Sequence, residues 1–239
     1  IDISGKEVDV AQYQYQVCFR CHADSLKKGP ARINRADPET NVRFEFDTAN
    51  ASFHPIAAPG RNPDVPSLID PLTEASTIYC TACHNSDQGR GAGGSGPEGP
   101  HGSAFTPILE RRLELKDFQR ESASAYALCY KCHDRKNILE DASFPYHNLH
   151  VNEQQTACTT CHDPHGSRTS AHLINFNVDY VSASTSGRRE FNTLGKKQGE
   201  CYLSCHGRNH DPETYGVPSP LRVEVPAGPR VIGSQRRRR

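Results

Sequence analysis

The cysteines constrain this chain more than any other feature. All ten fall into five pairs, and a histidine directly follows the second member of each pair. Four pairs read C-x-x-C-H: Cys18, Cys21 and His22; Cys80, Cys83 and His84; Cys129, Cys132 and His133; Cys158, Cys161 and His162. The fifth, Cys201-Tyr-Leu-Ser-Cys205-His206, carries one extra residue between its cysteines. C-x-x-C-H is the attachment signature of c-type haem: two thiols form thioethers to the porphyrin, and the adjacent His lies under the iron as its proximal ligand. Zinc sites need no His at that position, and five pairs cannot be matched two by two. A disulfide framework needs no such His either, and cysteines three residues apart make a poor staple. The motifs therefore predict five covalently attached c-type haems (haem c, iron), the fifth through a spacing that still reaches both attachment points.

This prediction resolves a difficulty in the composition. Hydrophobic residues make up only 35% of the 239 residues, with 18 Gly and 17 Pro. Such a chain struggles to bury enough apolar surface to offset its conformational entropy. Large flat porphyrins can supply the missing core. The expected fold is mostly irregular loop with short α-helices and minimal β, wrapped around a chain of five haems. Residues 1–215 read as one pentahaem domain. Residues 216–239 read as a Pro/Gly-rich arm ending in Arg236–Arg239, either a solvated tail or a contact with haem propionates or an acidic neighbouring subunit. Helices are expected over 9–23, 121–135 and 153–162; 24–76 and the Gly-rich 85–104 are expected as loops, and 176–200 as irregular chain. Within the Pro- and Gly-filled 216–233, Val223 and Val225 alternate with charged neighbours and offer at most one short strand.

The second iron ligand follows from what is absent. With no Met in the chain, His/Met ligation is impossible within it, and His on both faces is the expectation, giving low-potential, six-coordinate iron. Seven His remain outside the motifs. His101 (Gly-Pro-His-Gly-Ser) and His165 (Asp-Pro-His-Gly-Ser) share a short element that recurs downstream of two motifs. With His54 and His210 they are the first candidates for distal ligands. His147 and His150 form a His-x-x-His pair, of which one supplies a ligand; His150 is taken first, and His147 and His172 are held in reserve. His165 lies three residues from His162, and His210 four from His206, too close to reach around the same ring. Each should serve a different haem, locking neighbours together. The Cys129 and Cys158 motifs, nearest in sequence, should be direct neighbours.

Equal acidic and basic counts, 28 each, argue against nucleic-acid binding, and no apolar run approaches the ~20 residues of a membrane span. Ile1 reads as a processing point or truncation. Removal of an export signal is the preferred explanation, because the haem chemistry requires export.

Cys-Thr-Ala-Cys-His-Asn-Ser-Asp with Gly-Pro-His-Gly-Ser, Cys-Thr-Thr-Cys-His-Asp-Pro-His-Gly-Ser with Leu173-Ile-Asn-Phe, and Cys-His-Gly-Arg-Asn-His-Asp-Pro together resemble the multihaem c-type cytochromes with doubled CxxCH motifs. The resemblance spans about residues 10–215. It implies bis-His haems in stacked and T-shaped pairs, little regular secondary structure, and export to the periplasm or beyond. It also implies distal roles for His54, His101, His165 and His210, with the His147/His150 pair supplying another. Some relatives polymerise into extracellular filaments that conduct electrons. The resulting expectation is an electron conduit, not an enzyme, acting as a subunit of a homopolymeric filament outside the cell or at its surface. Its partners are other redox proteins or extracellular acceptors. A soluble periplasmic or outer-surface carrier is the alternative, and a multihaem reductase a more distant one, since catalysis needs an open iron position. The role of a membrane-anchored quinol dehydrogenase partner is opposed by the lack of an apolar anchor.

Overall fold

A computed structural model describes residues 1–24 and 31–216. The Arg236–Arg239 tail and the Val223/Val225 segment lie outside these residues. The described chain is mostly loop, as expected, with a few short helices and small antiparallel sheets.

Helix α1 (Gln14–His22) is set by a local pattern. Tyr15 and Phe19, four apart, bury one face, and the Gln16 side chain turns back to accept from the backbone N–H groups of Gln12 and Tyr13 at 2.8 and 3.1 Å. Arg20 and His22 sit in the last turn, where the helix dipole favours positive charge. Three more helices are single turns: α2 (Val42–Glu45), α3 (Arg135–Leu139) and α4 (Cys158–Cys161). A π-helical turn covers Asn148–Glu153.

Strands β1 (Ser52–Phe53) and β2 (Gly166–Ser167) pair antiparallel and join distant parts of the chain. Strands β3 (Val181–Ser182), β4 (Glu190–Gly195), β5 (Gln198–Cys205) and β6 (Arg208–Tyr215) form one sheet, with β5 pairing all three others. Two expectations are corrected here. The region 176–200 is not irregular, because β4 and the start of β5 form a hairpin, with Lys197 at φ 55° and Gly195 at φ 146° turning the chain. The Ala-rich stretch at 121–135 is not a continuous helix. Its backbone bonds go elsewhere: Leu128 N–H donates to Arg112, and Ala125 C=O accepts from Glu114 N–H, so cross-chain pairing overrides helix propensity. At its end only Cys129–Lys131 winds into a 3₁₀ turn.

Among the described residues there is no single core. Apolar residues form three small clusters, each pressed against attachment cysteines. Tyr15, Phe19, Ala23, Phe46 and Ile56 pack on Cys80. Ala125, Tyr126, Val151 and Ala157 pack on Cys158. Phe176, Val181 and Leu203 pack on Cys161, Cys201 and Cys205.

Candidate haem sites

Four motifs share one local shape. The first ends α1, the fourth forms α4, and the second and third begin with 3₁₀ turns at Cys80–Ala82 and Cys129–Lys131. In the second, third and fourth, the His N–H donates to the carbonyl of the first Cys at 2.8, 3.0 and 2.9 Å. That turn puts cysteines i and i+3 on one face, the presentation two thioethers to one flat ring require.

The fifth motif differs. Cys201 and Cys205 lie on β5, where residues four apart share a face but stand roughly 13 Å apart along an ideal strand. His206 and Gly207 carry positive φ (46° and 78°) at the tip of the β5–β6 hairpin, the pattern of a type I′ turn. His206 Nε2 is 2.7 Å from Oδ2 of Asp117, a carboxylate that also accepts from Ala157 N–H (2.8 Å) and the Thr160 hydroxyl (2.5 Å). The fifth motif fits the common arrangement only with His206 released from Asp117.

None of the ten cysteines is in a disulfide, yet successive motifs meet through them. The thiols of Cys18 and Cys80 lie close enough to perturb each other's titration, as do those of Cys129 and Cys158. Cys83 lies within electrostatic reach of Cys129 and Cys132, and Cys161 of Cys201 and Cys205. The Cys129 and Cys158 motifs are neighbours, as their short spacing predicts.

Seven of the histidines are held through Nδ1. Nδ1 of His84 donates to Pro107 C=O (3.1 Å), of His162 to His172 C=O (2.8 Å), of His150 to Tyr146 C=O (2.7 Å), and of His54 to Pro164 C=O. A carbonyl only accepts, so Nδ1 carries the proton and Nε2 keeps the lone pair a metal needs. His165 Nδ1 faces Glu45 at 2.7 Å, while Nδ1 of His133 and His147 face the hydroxyls of Ser67 (3.0 Å) and Ser143 (3.3 Å). Burial pushes His133 and His162 down to about 4 and His147 to about 3, keeping these rings neutral and able to bind metal.

Pairs of rings face across gaps. The centroids of His84 and His165 are 6.2 Å apart, and those of His147 and His162 are 6.4 Å apart. Cys83, Cys129, Cys132, His133, His54 and His172 line a cavity of about 200 Å³, open on one side, whose other walls include Leu68, Leu72, Ile78, Leu113 and Leu128. The Cys129, Cys132 and His133 set of one motif, with Cys83, further imidazoles and an apolar wall, is the kind of lining a covalently held porphyrin would need. His210 lies within electrostatic reach of His150, and Nδ1 of His210 is buried without a hydrogen-bond partner. His101 is exposed at the end of the Gly-rich loop, and Cys21 and His22 of the first motif are also exposed. Among the described residues no three His, Cys, Asp or Glu side chains converge as a compact metal site requires.

Sequence reasoning missed the residues that brace these histidines. Arg35 donates to the carbonyls of Thr159 (2.7 Å), Asn175 (2.8 Å) and His162 (3.0 Å), and pairs with buried Asp163 at 3.2 Å. Glu45 and Asp117 hold His165 and His206. Each lies far along the chain from the motif it serves, and no spacing rule marks it.

Residues 150–181, which contain the fourth motif and His165, match the family model described as the doubled CXXCH motif. Searches of curated proteins and of solved structures each return no match. The family match supports a multihaem c-type cytochrome that transfers electrons. Among the described residues no helix is long and apolar enough to cross a membrane.

Proposed function

We propose that this chain relays electrons along five covalently held, bis-His haems, and that it does so as the repeating subunit of an extracellular conductive filament. The observation that supports the relay is the proximity of successive motifs: Cys18 lies beside Cys80 and Cys129 beside Cys158, while Cys83 is within electrostatic reach of Cys129 and Cys161 of Cys201. Groups tethered at neighbouring thiols are held as neighbours. When bound, each haem supplies an iron that exchanges single electrons.

The chain's own residues would close that iron on both faces. Backbone carbonyls, Glu45 and serine hydroxyls fix Nδ1 of His54, His84, His133, His147, His150, His162 and His165, so these rings would meet a metal through Nε2, and leucine and isoleucine side chains line one of the sites. Reductase chemistry would need one of these positions left open.

Filament assembly is supported by the resemblance noted above and by the exposure of the first motif. It is supported further by the apolar patch beside that motif, where Val10, Tyr13 and Val17 are 77, 57 and 62% exposed. A haem near such a surface is placed to hand electrons to a second copy, another redox protein or an external acceptor. Export beyond the cell envelope goes with this assembly.

Three measurements on the purified native protein test the proposal. Intact mass should exceed the polypeptide by five porphyrins; the bare polypeptide mass would overturn the proposal, and a mass one porphyrin short would remove the fifth site. The reduced protein should bind no carbon monoxide. Electron microscopy should find filaments; dispersed monomers recovered from the periplasm would leave a soluble carrier instead.

A further inference from the structure

We infer that His165 is the far-side ligand of the iron whose near-side ligand is His84, and that His147, not His150, is the far-side ligand of the iron served by His162. The inference rests on the reading of the motifs as haem sites and adds which histidines share an iron.

The distances carry it. An iron between two imidazoles needs two metal–nitrogen bonds of about 2.0 Å and about 1.1 Å from each nitrogen to its ring centre, hence roughly 6.2 Å between centres. The two pairs stand at 6.2 and 6.4 Å. Their planes are turned by 45° and 42°, which coaxial ligands tolerate because rotation about the metal axis leaves both bonds intact. Direct packing of the rings is a poor explanation, since stacked or edge-on pairs lie near 0° or 90°. In both pairs Nδ1 is already engaged, on Pro107 and Glu45 in the first, on Ser143 and His172 in the second. The nitrogens left for a shared metal are the four Nε2 atoms. Each pair includes one motif His, so each iron has its thioether anchor: Cys80 and Cys83 for the first, Cys158 and Cys161 for the second.

The chain is thereby cross-wired. His162 and His165, three residues apart, serve different irons, so the second and fourth haems are tied by one short stretch of backbone. His150 pairs with no motif His at such a distance; its Nδ1 is on Tyr146, and it lies within electrostatic reach of His210.

Carbon monoxide titration of reduced holoprotein variants tests the pairing. His165→Ala should convert one haem of the set to a carbon monoxide-binding form, and added imidazole should reverse it. In a protein lacking the second haem (Cys80→Ala with Cys83→Ala, one porphyrin fewer by mass), His165→Ala should create no carbon monoxide-binding haem. His147→Ala should likewise create one in the full protein and none when Cys158→Ala and Cys161→Ala remove the fourth haem. A new carbon monoxide-binding haem in both backgrounds overturns the pairing while leaving the haem reading intact. Absence of covalent porphyrin in the native protein overturns that reading instead. If the cysteine variants do not accumulate, an experimental structure of the native holoprotein decides: iron between His84 and His165 supports the pairing, and iron between His84 and any other residue overturns it.

Discussion

His165 Nδ1 lies 2.7 Å from Oε2 of Glu45, a residue 120 positions earlier in the chain. A carboxylate on the outer nitrogen makes an imidazole a stronger donor at the inner one. With His165 on an iron, that extra donation favours the oxidised metal.

Glu45→Gln removes the negative charge and keeps an acceptor in place. One reduction step should move to higher potential in a spectroelectrochemical titration, while every haem stays low-spin. Unchanged potentials would reduce Glu45 to a structural role.

Arg35→Ala strips donors from three backbone carbonyls and leaves Asp163 buried without its partner. Breaking a buried pair of this kind costs about 3–5 kcal/mol. Urea unfolding followed by circular dichroism should show a matching drop. Arg35→Lys should recover little of it, because an ammonium cannot span three acceptors and a carboxylate.

Gly166→Ala tests why His165 is followed by glycine. A Cβ at Gly166 would run into the Glu45 carbonyl oxygen, with Ser52 C=O only 3.0 Å away. The β1–β2 pairing must shift, at about 1–3 kcal/mol of overpacking, and carry His165 with it. A lower melting temperature should come with partial high-spin character. Gly102, in the matching Gly-Pro-His-Gly-Ser element, has nothing against its Cβ direction, so Gly102→Ala should leave both unchanged.

Acid stability should depend on Glu121. Burial pushes this carboxyl's pKa up, but bonds from Arg135 (2.5 Å) and Tyr130 (2.9 Å) outweigh burial and hold it below its ordinary 4.5. A carboxyl lowered on folding contributes its full stability above its unfolded pKa and loses it as the pH falls through the folded value. Glu121→Gln should therefore be less stable than the native protein at pH 7, with the gap closing below about pH 4.5. A gap that persists at pH 2.5 would assign the effect to packing.

The chemistry was more legible in the sequence than the architecture. Cys80–His84, Cys129–His133 and Cys158–His162 announce themselves because the attachment spacing is itself a helical turn, so motif and local structure coincide. The separation of His165 from His162 in space follows from a side chain's limited reach. The sheet at 181–215 was hidden because β4 and β5 are polar and lack a long alternating pattern; tertiary pairing supplies what periodicity does not. The same holds for His147, which differs from His150 in the sequence only by position. The partner each ring faces is decided by the turn at 148–153. Asp117, Glu45 and Arg35 act across long stretches of chain, where a single sequence carries no signal.

Consecutive motifs are also spatial neighbours, and this has a kinetic consequence. A polypeptide emerging from its N-terminus can lay down each segment against the last, because those approaches close loops of 29 to 62 residues, well short of the 120 positions between Glu45 and His165. Two fastenings break that pattern: Glu45 waits for His165, and Arg35 waits for the carbonyls of residues 159–175. Both therefore behave as buckles. They are fitted early and closed late, and they lock the N-terminal third only after the fourth motif has arrived.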